Sequence, residues 1–362
     1  MKVVAALEPR TTAEVVDAVR SHDRLVVRGG CTKPALSTAT DSAVAVDIAG
    51  LTGIVEYDPN EFTVTALAGT RVSEVTGLLA ANGQYLPFDP PFVAAGATLG
   101  GSVASGLSGP NRYRFGGVRD FIIGVRLVDG RGDEVRGGGK VVKNAAGFDL
   151  PKLMVGSMGR LGIMTEITFK VFPAPKAWRT LTVAMQGIDD ALETIMRLGS
   201  LPLDLEAVEL TPTATLNVRI GGLEETLEAR IQRLERAIGR GDGRALSGDV
   251  EQAFWKELRE FRWLPDEHKL VKVPVTPTRV TPLHERLDRA GATVRYGVGA
   301  NVAWVAWPGE MQELDRLLSA LELPGLVLIG PPESPRIGHV AGRSFAARIK
   351  SVLDPARRFS EV

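Results

Sequence analysis

The chain has 362 residues, of which 44% are hydrophobic and 24% are charged. This composition is typical of globular proteins and argues against a disordered or fibrous chain, and the length predicts two domains at roughly 100 to 200 residues each. The 43 Lys and Arg residues balance the 43 Asp and Glu residues without a long basic run, so the sequence lacks the electrostatic footprint of a nucleic-acid-binding protein.

The start of the chain predicts a helix followed by a strand. Residues 1–12 lack the features of a signal peptide, and no apolar stretch approaches the roughly 18 to 20 residues that a membrane span needs, so we expect a cytoplasmic protein. A capping-box pattern begins a short amphipathic helix over residues 11–20. A strand over residues 25–28 then enters the loop 29–32, whose closely spaced backbone N–H groups are typical of a phosphate-binding nest.

The 40 glycines of the chain are concentrated in clusters before residue 165. Glycine occurs where φ must be positive or where the backbone approaches another group closely, so we expect the first half of the chain to fold around a ligand. The alternative is a loop-rich domain that needs many turns. Two common nucleotide motifs are absent, because Gly139 and Lys140 are followed by Val141 and no G-x-G-x-x-G links an early strand to a helix.

Strands over residues 53–57 and 62–68 and a helix over residues 72–81 form a small β-β-α unit, with Thr70 as the predicted N-cap of the helix.

Residues 97–106 are almost all small and predict a second, short helix. Thr98 can cap this helix, and its first turn, Gly100, Gly101 and Ser102, has no bulky side chain to keep a ligand from its N–H groups. The partial positive charge of a helix N-terminus suits a pyrophosphate. The alternative is tight helix packing through glycine and alanine.

A β-hairpin is predicted over residues 120–135, with a turn at residues 129–132. A short helix follows residue 150, and a glycine loop over residues 155–163 leads into a strand over residues 164–172. This strand has the period-2 pattern of a half-buried strand, and two prolines then mark a boundary.

The second half of the chain contains the same β-α-β-β-α pattern twice. The first copy covers residues 181–238 and the second covers residues 269–321, followed by a strand at 326–329. Two such units can share one mainly antiparallel sheet with helices on one face. Between them, Phe254, Trp255, Phe261 and Trp263 are interpreted as core aromatics. Residues 342–353 predict a last helix.

The side chains that most often bind metals are sparse. The single cysteine, Cys31, excludes an internal disulfide, and it excludes a cysteine-ligated iron–sulfur cluster held by this chain alone, which takes about four thiolates. The four histidines are scattered singly, so no metal site is predicted.

Several motifs that occur in the same order carry a family resemblance. Residues 14–173 resemble the FAD-binding domain of the vanillyl-alcohol oxidase and p-cresol methylhydroxylase (PCMH) family. The matching segments are VVRGG (26–30), VEY (55–57), FTVTA (62–66), GT (69–70), ATLGGSVA (97–104), FDLPKLMVGS (148–157) and GRLGIMTE (159–166).

Within that family the chain is similar to the FAD-binding E subunits of bacterial glycolate oxidases. The segments that carry this similarity are GIVEYDP (53–59), LPFDPP (86–91), SGPNR (108–112), VRDF (118–121) and VKNAAGFDL (142–150). The resemblance implies an α+β fold with a two-part FAD-binding domain and a mainly antiparallel sheet domain. We expect the FAD-binding domain over residues 1–175, a cap or substrate domain over 176–335, and a last helix over 336–362 that packs back on the FAD-binding domain.

The resemblance also implies the residues that bind the cofactor. Residues 29–32 and 98–102 would hold the FAD pyrophosphate through backbone N–H groups, and Gly162 and Ile163 would edge the cofactor. The predicted cofactor-binding set is Arg28, Gly29, Gly30, Cys31, Thr32, Lys33, Pro91, Thr98, Gly100, Gly101, Ser102, Ala104, Ser105, Gly162 and Ile163.

Two departures from the family pattern bear on how FAD is held. Thr32 stands where some relatives have a histidine that bonds covalently to FAD, so we expect noncovalent FAD. Cys31 stands where many relatives have a third glycine, and we expect a small apolar packing role for it rather than a thioether to the flavin.

The function implied is that of a flavoprotein subunit in a glycolate (2-hydroxyacid) oxidising complex, linked to the membrane through its partners. A second flavin subunit and an iron–sulfur subunit would complete the electron path. Lys143, Arg112 and Arg114 are candidates to bind the substrate carboxylate.

Two alternative functions stay open. One is a free-standing FAD-dependent oxidase or dehydrogenase of another alcohol or hydroxyacid, with a base among His268, His284 and His339. The other is a noncatalytic subunit.

Overall fold

A computed structural model describes residues 6–37, 42–139, 148–331 and 335–361. These residues form two compact units. The first takes in residues 1–109, 117–174 and 341–362, and the second takes in residues 110–116 and 175–340, as far as they are described. None of the helices in the described ranges is long and apolar enough to cross a membrane.

The elements before residue 175 alternate short strands with short helices. In chain order they are β1 (Ala6–Leu7), α1 (Thr12–Ser21), β2 (Leu25–Arg28), β3 (Val44–Asp47), β4 (Ile54–Asp58), β5 (Thr63–Leu67), α2 (Val72–Ala81), β6 (Gln84–Tyr85), α3 (Leu99–Ser105), α4 (Arg112–Phe115), α5 (Val118–Phe121), β7 (Ile122–Val128), β8 (Glu134–Gly138), α6 (Leu150–Met154), β9 (Ile163–Lys170) and β10 (Phe172–Pro173).

The first unit contains a three-stranded parallel sheet in the order β1-β3-β2 and a five-stranded antiparallel sheet in the order β4-β5-β9-β7-β8. β9 lies at the centre of the larger sheet, and Met164 and Thr168 are buried as well as the alternating apolar residues. The predicted buried face is confirmed by Ile163, Thr165, Ile167 and Phe169, whereas the other face is only partly covered, because Glu166 is half-buried and Lys170 is exposed.

Helix boundaries before residue 175 agree with the sequence pattern, but one cap does not. Thr11 caps α1 as predicted, through its hydroxyl and the amide of Glu14. Thr70 does not cap α2, whose N-cap is Arg71 without a side-chain bond. The Thr70 hydroxyl instead accepts a hydrogen bond from the amide of Gly53 at 2.9 Å, so it ties β4 to the start of the helix.

The elements after residue 175 are longer and more regular. They are β11 (Ala177–Ala184), α7 (Ile188–Gly199), β12 (Ala207–Leu210), β13 (Thr215–Gly222), α8 (Glu224–Ile238), β14 (Arg244–Ser247), α9 (Gly248–Arg259), β15 (Lys269–Pro274), α10 (Val280–Arg289), β16 (Thr293–Gly297), β17 (Val302–Trp307), α11 (Met311–Ala320), β18 (Pro324–Ile329), β19 (Arg336–Gly338) and α12 (Arg343–Leu353).

The second unit is built on one nine-stranded antiparallel sheet in the order β14-β11-β13-β12-β16-β17-β15-β18-β19. The two copies of the β-α-β-β-α pattern meet where Leu210 of β12 pairs with Tyr296 of β16. The predicted antiparallel sheet shared by two repeated units is thus confirmed. The edge strands β14 and β19 were missed, since their short, partly exposed sequences carry little periodicity.

Helix α9 was also missed by the sequence analysis, which predicted only buried aromatics in this region. Trp255 on α9 is fully buried and donates a hydrogen bond from Nε1 to the Thr180 hydroxyl of β11 at 2.8 Å. Glu251, one turn earlier, forms a buried ion pair with Arg219 of β13 at 2.8 Å. Two charges can be buried here because each is paired with the other, which offsets the cost of removing them from water. The helix is thereby fixed to the sheet.

Candidate functional site

One cleft in the first unit gathers most of the residues predicted to bind a cofactor. It encloses about 620 Å³ of space, part of it open to solvent. Twelve of the fifteen predicted residues line it: Arg28, Gly29, Gly30, Cys31, Thr32, Lys33, Thr98, Gly100, Gly101, Ala104, Ser105 and Gly162. Pro91, Ser102 and Ile163 are buried and do not line it.

The loop after β2 presents a row of unused backbone donors. The amides of five consecutive residues, 29–33, donate to no acceptor in the described part of the chain. A Cβ on Gly30 would lie 2.1 Å from the Gly96 carbonyl oxygen, so only glycine fits there. Cys31 follows with a φ of +50°. Successive N–H groups in such a turn can form an anion-binding concavity, so these unused donors are compatible with the predicted nest, which stays a prediction.

Helix α3 does not offer the free N–H groups expected from its sequence. Thr98 caps it as predicted, accepting from the Gly101 amide at 3.2 Å. The amides of Leu99 and Gly100 donate to the carbonyls of Thr70 at 3.0 Å and Ala68 at 2.7 Å. The expectation of open donors in this first turn is therefore wrong. The tight-packing alternative holds for Gly100, whose Cβ would lie 2.9 Å from the Ala68 oxygen.

Lys33 places a buried cation at the cleft. Its side chain is 8% exposed, donates from Nζ to the Thr32 hydroxyl at 2.8 Å and lies 5.3 Å from the ring centre of Phe92. Burial lowers the pKa of its ammonium from 10.5 to about 8. It forms no ion pair with a carboxylate anywhere in the described ranges. An anion bound in the cleft would supply the missing charge.

Two buried hydroxyls on segments that border the cleft also lack partners. Ser102 Oγ on α3 and Ser157 Oγ on the loop after α6 make no hydrogen bond with the described part of the protein. An unpaired buried hydroxyl costs about 1 to 3 kcal/mol. Because neither serine lines the cleft, these hydroxyls are more readily satisfied by ordered water than by a ligand bound there.

The loop over residues 156–162 also lines the cleft, and its contribution was underestimated from the sequence. The Met158 amide donates to the Ala104 carbonyl at 2.8 Å, which fixes the loop to α3. A Cβ on Gly159 would lie 2.9 Å from the Val27 side chain, so glycine permits close packing on β2. Met158 and Gly159 line the cleft but were not predicted to. The glycine spacing of the loop was the available signal.

Cys31 does not have the apolar packing role expected of it. The residue is exposed at the cleft, and its thiol lies 3.4 Å from the Gly29 carbonyl oxygen.

The second unit holds two cations whose charges interact, a half-buried lysine and an exposed arginine. Lys272 lies on β15, where its backbone pairs with Trp304 of β17. Burial and the nearby charge of Arg112, on α4, lower the pKa of Lys272 from 10.5 to about 8. Neither side chain has a hydrogen-bond or carboxylate partner among the described residues. The sequence singled out Arg112 but not Lys272.

The other predicted cations do not join this pair. The Arg114 guanidinium donates to the Asp204 carbonyl at 2.8 Å and lies 3.7 Å from the Asp204 carboxylate. Lys143 lies outside the described residues.

The three histidines considered as bases are separate within the second unit. The His268 ring lies 3.1 Å from the Asp266 carbonyl, and the His284 ring lies 3.1 Å from the Tyr296 hydroxyl. The amide of His339 donates to the Leu323 carbonyl. The described residues contain no cluster of three or more potential metal ligands.

Comparison with known proteins supports the resemblance noted in the sequence. Residues 3–138 match the family described as FAD binding domain. The chain is 36% identical over 286 residues to glycolate oxidase subunit GlcE of Escherichia coli (strain K12), across 77% of each chain. It is 29% identical over 262 residues to glycolate oxidase subunit GlcD of Bacillus subtilis (strain 168), across 66% of this chain and 56% of that protein.

The fold also has solved counterparts. A structure of alkyldihydroxyacetonephosphate synthase matches 97% of this chain with a TM-score of 0.70 at 16% identity, and the match covers 74% of that chain. At this identity the match shows the fold alone, and it confirms the predicted α+β fold class.

Proposed function

This chain belongs to the FAD-binding family that includes glycolate oxidase subunit GlcE, and we propose that it is the FAD-binding subunit of a complex that oxidises glycolate or a similar 2-hydroxyacid. FAD is its cofactor. The observation that carries the proposal is the nest of five free amides beside a buried, unpaired lysine, within the segment that matches the FAD-binding family.

The cleft fits the chemistry of FAD. The pyrophosphate is an anion, and the amides of residues 29–33 together with the Lys33 ammonium are the groups in the cleft suited to hold it. Gly101 and Ala104 leave room for a planar ring along α3. Bound FAD accepts the electrons released when a hydroxyacid is oxidised. The protein contributes position, charge and exclusion of water.

We assign the substrate carboxylate to Lys272 and Arg112. Two neighbouring cations without acidic partners repel each other, and a bound carboxylate removes that repulsion while accepting charge-assisted hydrogen bonds. A small hydroxyacid carries such a carboxylate beside the carbon to be oxidised. The pair therefore supplies the recognition that a hydroxyacid site requires.

The partners are proposed from the relatives. One cysteine cannot hold a cysteine-ligated iron–sulfur cluster, so any such cluster on the electron path would lie on another chain. The relatives GlcE and GlcD are both named as subunits of glycolate oxidase. We propose a second flavin subunit and an iron–sulfur subunit as the partners, with any membrane attachment made through them.

Reconstitution tests this assignment. Glycolate-dependent reduction of an artificial electron acceptor is measured with this chain alone, with the partner subunits alone, and with both. The proposal predicts weak turnover by either part and a large increase when they are combined. Equal turnover by this chain with and without partners would support a free-standing oxidase or dehydrogenase instead.

Lys33 predicts a pH-dependent affinity for FAD. The pyrophosphate beside it raises its pKa above the value of about 8 in the ligand-free structure. Because the bound-state pKa is the higher one, the stabilisation is fully present below about pH 8 and is lost as the pH rises through the bound-state value. FAD binding, followed by flavin fluorescence, should weaken above about pH 8. Lys33→Arg should flatten the curve, and a flat wild-type curve would contradict the assignment.

Noncovalent FAD predicts complete release of the flavin on denaturation. The hydroxyl of Thr32 cannot form the bond made by a histidine, so acid precipitation should leave all flavin absorbance in the supernatant. The Cys31→Ser variant tests the other possible covalent bond, a thioether from the Cys31 thiol to the flavin, since this thiol is exposed at the cleft. Flavin that stays in the wild-type pellet but leaves the Cys31→Ser pellet would establish a thioether.

A further inference from the structure

The first unit contains a buried ion pair that does not line the cleft. Lys350 of α12 is 3% exposed and Asp354 is fully buried. Lys350 Nζ donates to Asp354 Oδ2 at 2.7 Å, to the Arg160 carbonyl at 2.9 Å and to the Phe359 carbonyl at 3.0 Å. These three acceptors use all three N–H groups of the ammonium.

The Asp354 carboxylate folds the chain that follows it into a tight turn. Its Oδ1 accepts from the Arg358 amide at 2.9 Å, and its Oδ2 accepts from the Phe359 amide at 3.0 Å. Both charged groups are thus fully used inside the protein. Removing either partner leaves the other charge buried and uncompensated, which is strongly unfavourable.

This turn is attached to the strand that carries the nest. The Leu25 amide donates to the Arg358 carbonyl at 2.7 Å, and Leu25 and Phe359 form a parallel bridge. The Arg358 guanidinium also donates to the His22 carbonyl at 2.8 Å. β2 continues directly from Leu25 into the loop that begins at Gly29, so one side of the cleft is held by this turn.

The same ion pair is also attached to a second segment that lines the cleft. The Arg160 carbonyl, which accepts from Lys350, belongs to the loop over residues 156–162. Met158, Gly159 and Gly162 of this loop line the cleft. Lys350 Nζ is therefore bonded directly to the loop 156–162 through the Arg160 carbonyl, and it is linked to β2 through the turn 354–359. Neither Lys350 nor Asp354 lines the cleft.

We propose that Lys350 and Asp354 form a clamp that sets the spacing of β2 and the loop 156–162, and that they are positioning residues for FAD binding. The clamp touches no ligand and acts through the two segments that it joins. The inference rests on the cleft being the FAD site.

Reciprocity gives the clamp a signature that a purely structural ion pair lacks. If a closed clamp favours FAD, FAD must favour the closed clamp by the same free energy. Hydrogen exchange of the Arg358 and Phe359 amides, which are bonded to Asp354, should therefore slow when FAD is added to the wild-type protein. The amides of α9, in the second unit, serve as the internal reference.

The experiment compares the full chain with Lys350→Met and Asp354→Asn, using the FAD dissociation constant from flavin fluorescence as the readout. We expect both variants to bind FAD about tenfold more weakly, within the usual range of coupling between sites. Lys350→Arg, which keeps a buried cation, should recover part of the affinity. The matched control is Glu251→Gln, which breaks the buried pair with Arg219 and should lower stability with an unchanged FAD dissociation constant.

The proposal would be overturned if both folded clamp variants bound FAD with wild-type affinity. It would also be overturned if the hydrogen-exchange rates of the Arg358 and Phe359 amides were the same with and without FAD. If the variants fail to fold, the exchange measurement on the wild-type protein decides. A separate variant that blocks the cleft, Gly101→Trp, distinguishes a failure of the clamp proposal from a failure of the proposal that the cleft binds FAD. FAD binding that survives this block refutes the cleft itself. FAD binding lost in the block and normal in the clamp variants refutes the clamp alone.

Discussion

Gly101→Trp should abolish FAD binding, raising the FAD dissociation constant by about 100-fold or more. Gly101 lines the cleft, and its Cβ position meets only the Thr98 hydroxyl, at 3.0 Å, so a large side chain there extends into the space that a ligand would use. Loss of about 2.7 kcal/mol of binding corresponds to 100-fold. Flavin content after purification and FAD titration of the apoprotein measure the effect.

The control for this substitution lies on the neighbouring helix. Gly77 on α2 is exposed, and a Cβ there meets nothing within 4 Å, so Gly77→Trp adds the same side chain away from the cleft. Gly101→Ala provides a graded case, because its methyl group requires the Thr98 hydroxyl to shift by only a few tenths of an ångström. Tight FAD binding by folded Gly101→Trp would mean that FAD is bound elsewhere.

Lys272→Met should reduce hydroxyacid-dependent flavin reduction by about 100-fold while leaving FAD bound. A charge-assisted hydrogen bond to a carboxylate is worth about 1.5 to 3 kcal/mol, and Lys272 and Arg112 are the cation pair assigned to the substrate. The loss should appear mainly as weaker binding of the hydroxyacid. Rapid-mixing spectroscopy at increasing hydroxyacid concentration separates binding from the rate of reduction.

The matched control is Lys269→Met on the same strand. Lys269 lies three residues earlier, so strand alternation puts its side chain on the other face of the sheet, where Nζ donates to the Gly309 carbonyl at 3.0 Å. This variant should keep normal hydroxyacid binding. If the two variants behave alike, the carboxylate is bound by other groups and the assignment of Lys272 is wrong.

The fold was largely predictable because it is built from local, periodic signals. Repeated strand and helix periodicities revealed the two halves of the nine-stranded sheet, and Thr98 was recognised as a cap from its position before a run of small residues. Strands with weak periodicity were not predicted. β3, four residues long, completes the sheet that carries the nest, and β19 has three residues.

The candidate site was predictable only where the chain itself brings residues together. The amides of residues 29–33, which donate to no acceptor in the described ranges, are consecutive, so the loop that carries them could be recognised from its local sequence. The satisfied amides of α3 depend on carbonyls of Ala68 and Thr70 from a distant loop, which no local pattern contains. Lys272 and Arg112 are 160 positions apart, and only the folded chain puts their charges near each other. Burial, which changes the pKa of Lys33, likewise belongs to tertiary structure.

The central claim is that this chain carries FAD to which a 2-hydroxyacid delivers electrons, and one anaerobic titration tests it most directly. The visible absorbance of the purified chain is recorded before and after addition of glycolate, first alone and then with the partner subunits. The account predicts a flavin spectrum from the start, bleached by glycolate once the complex is assembled. A chain without flavin that binds none when FAD is supplied, or a flavin that no hydroxyacid bleaches in the assembled complex, would contradict it.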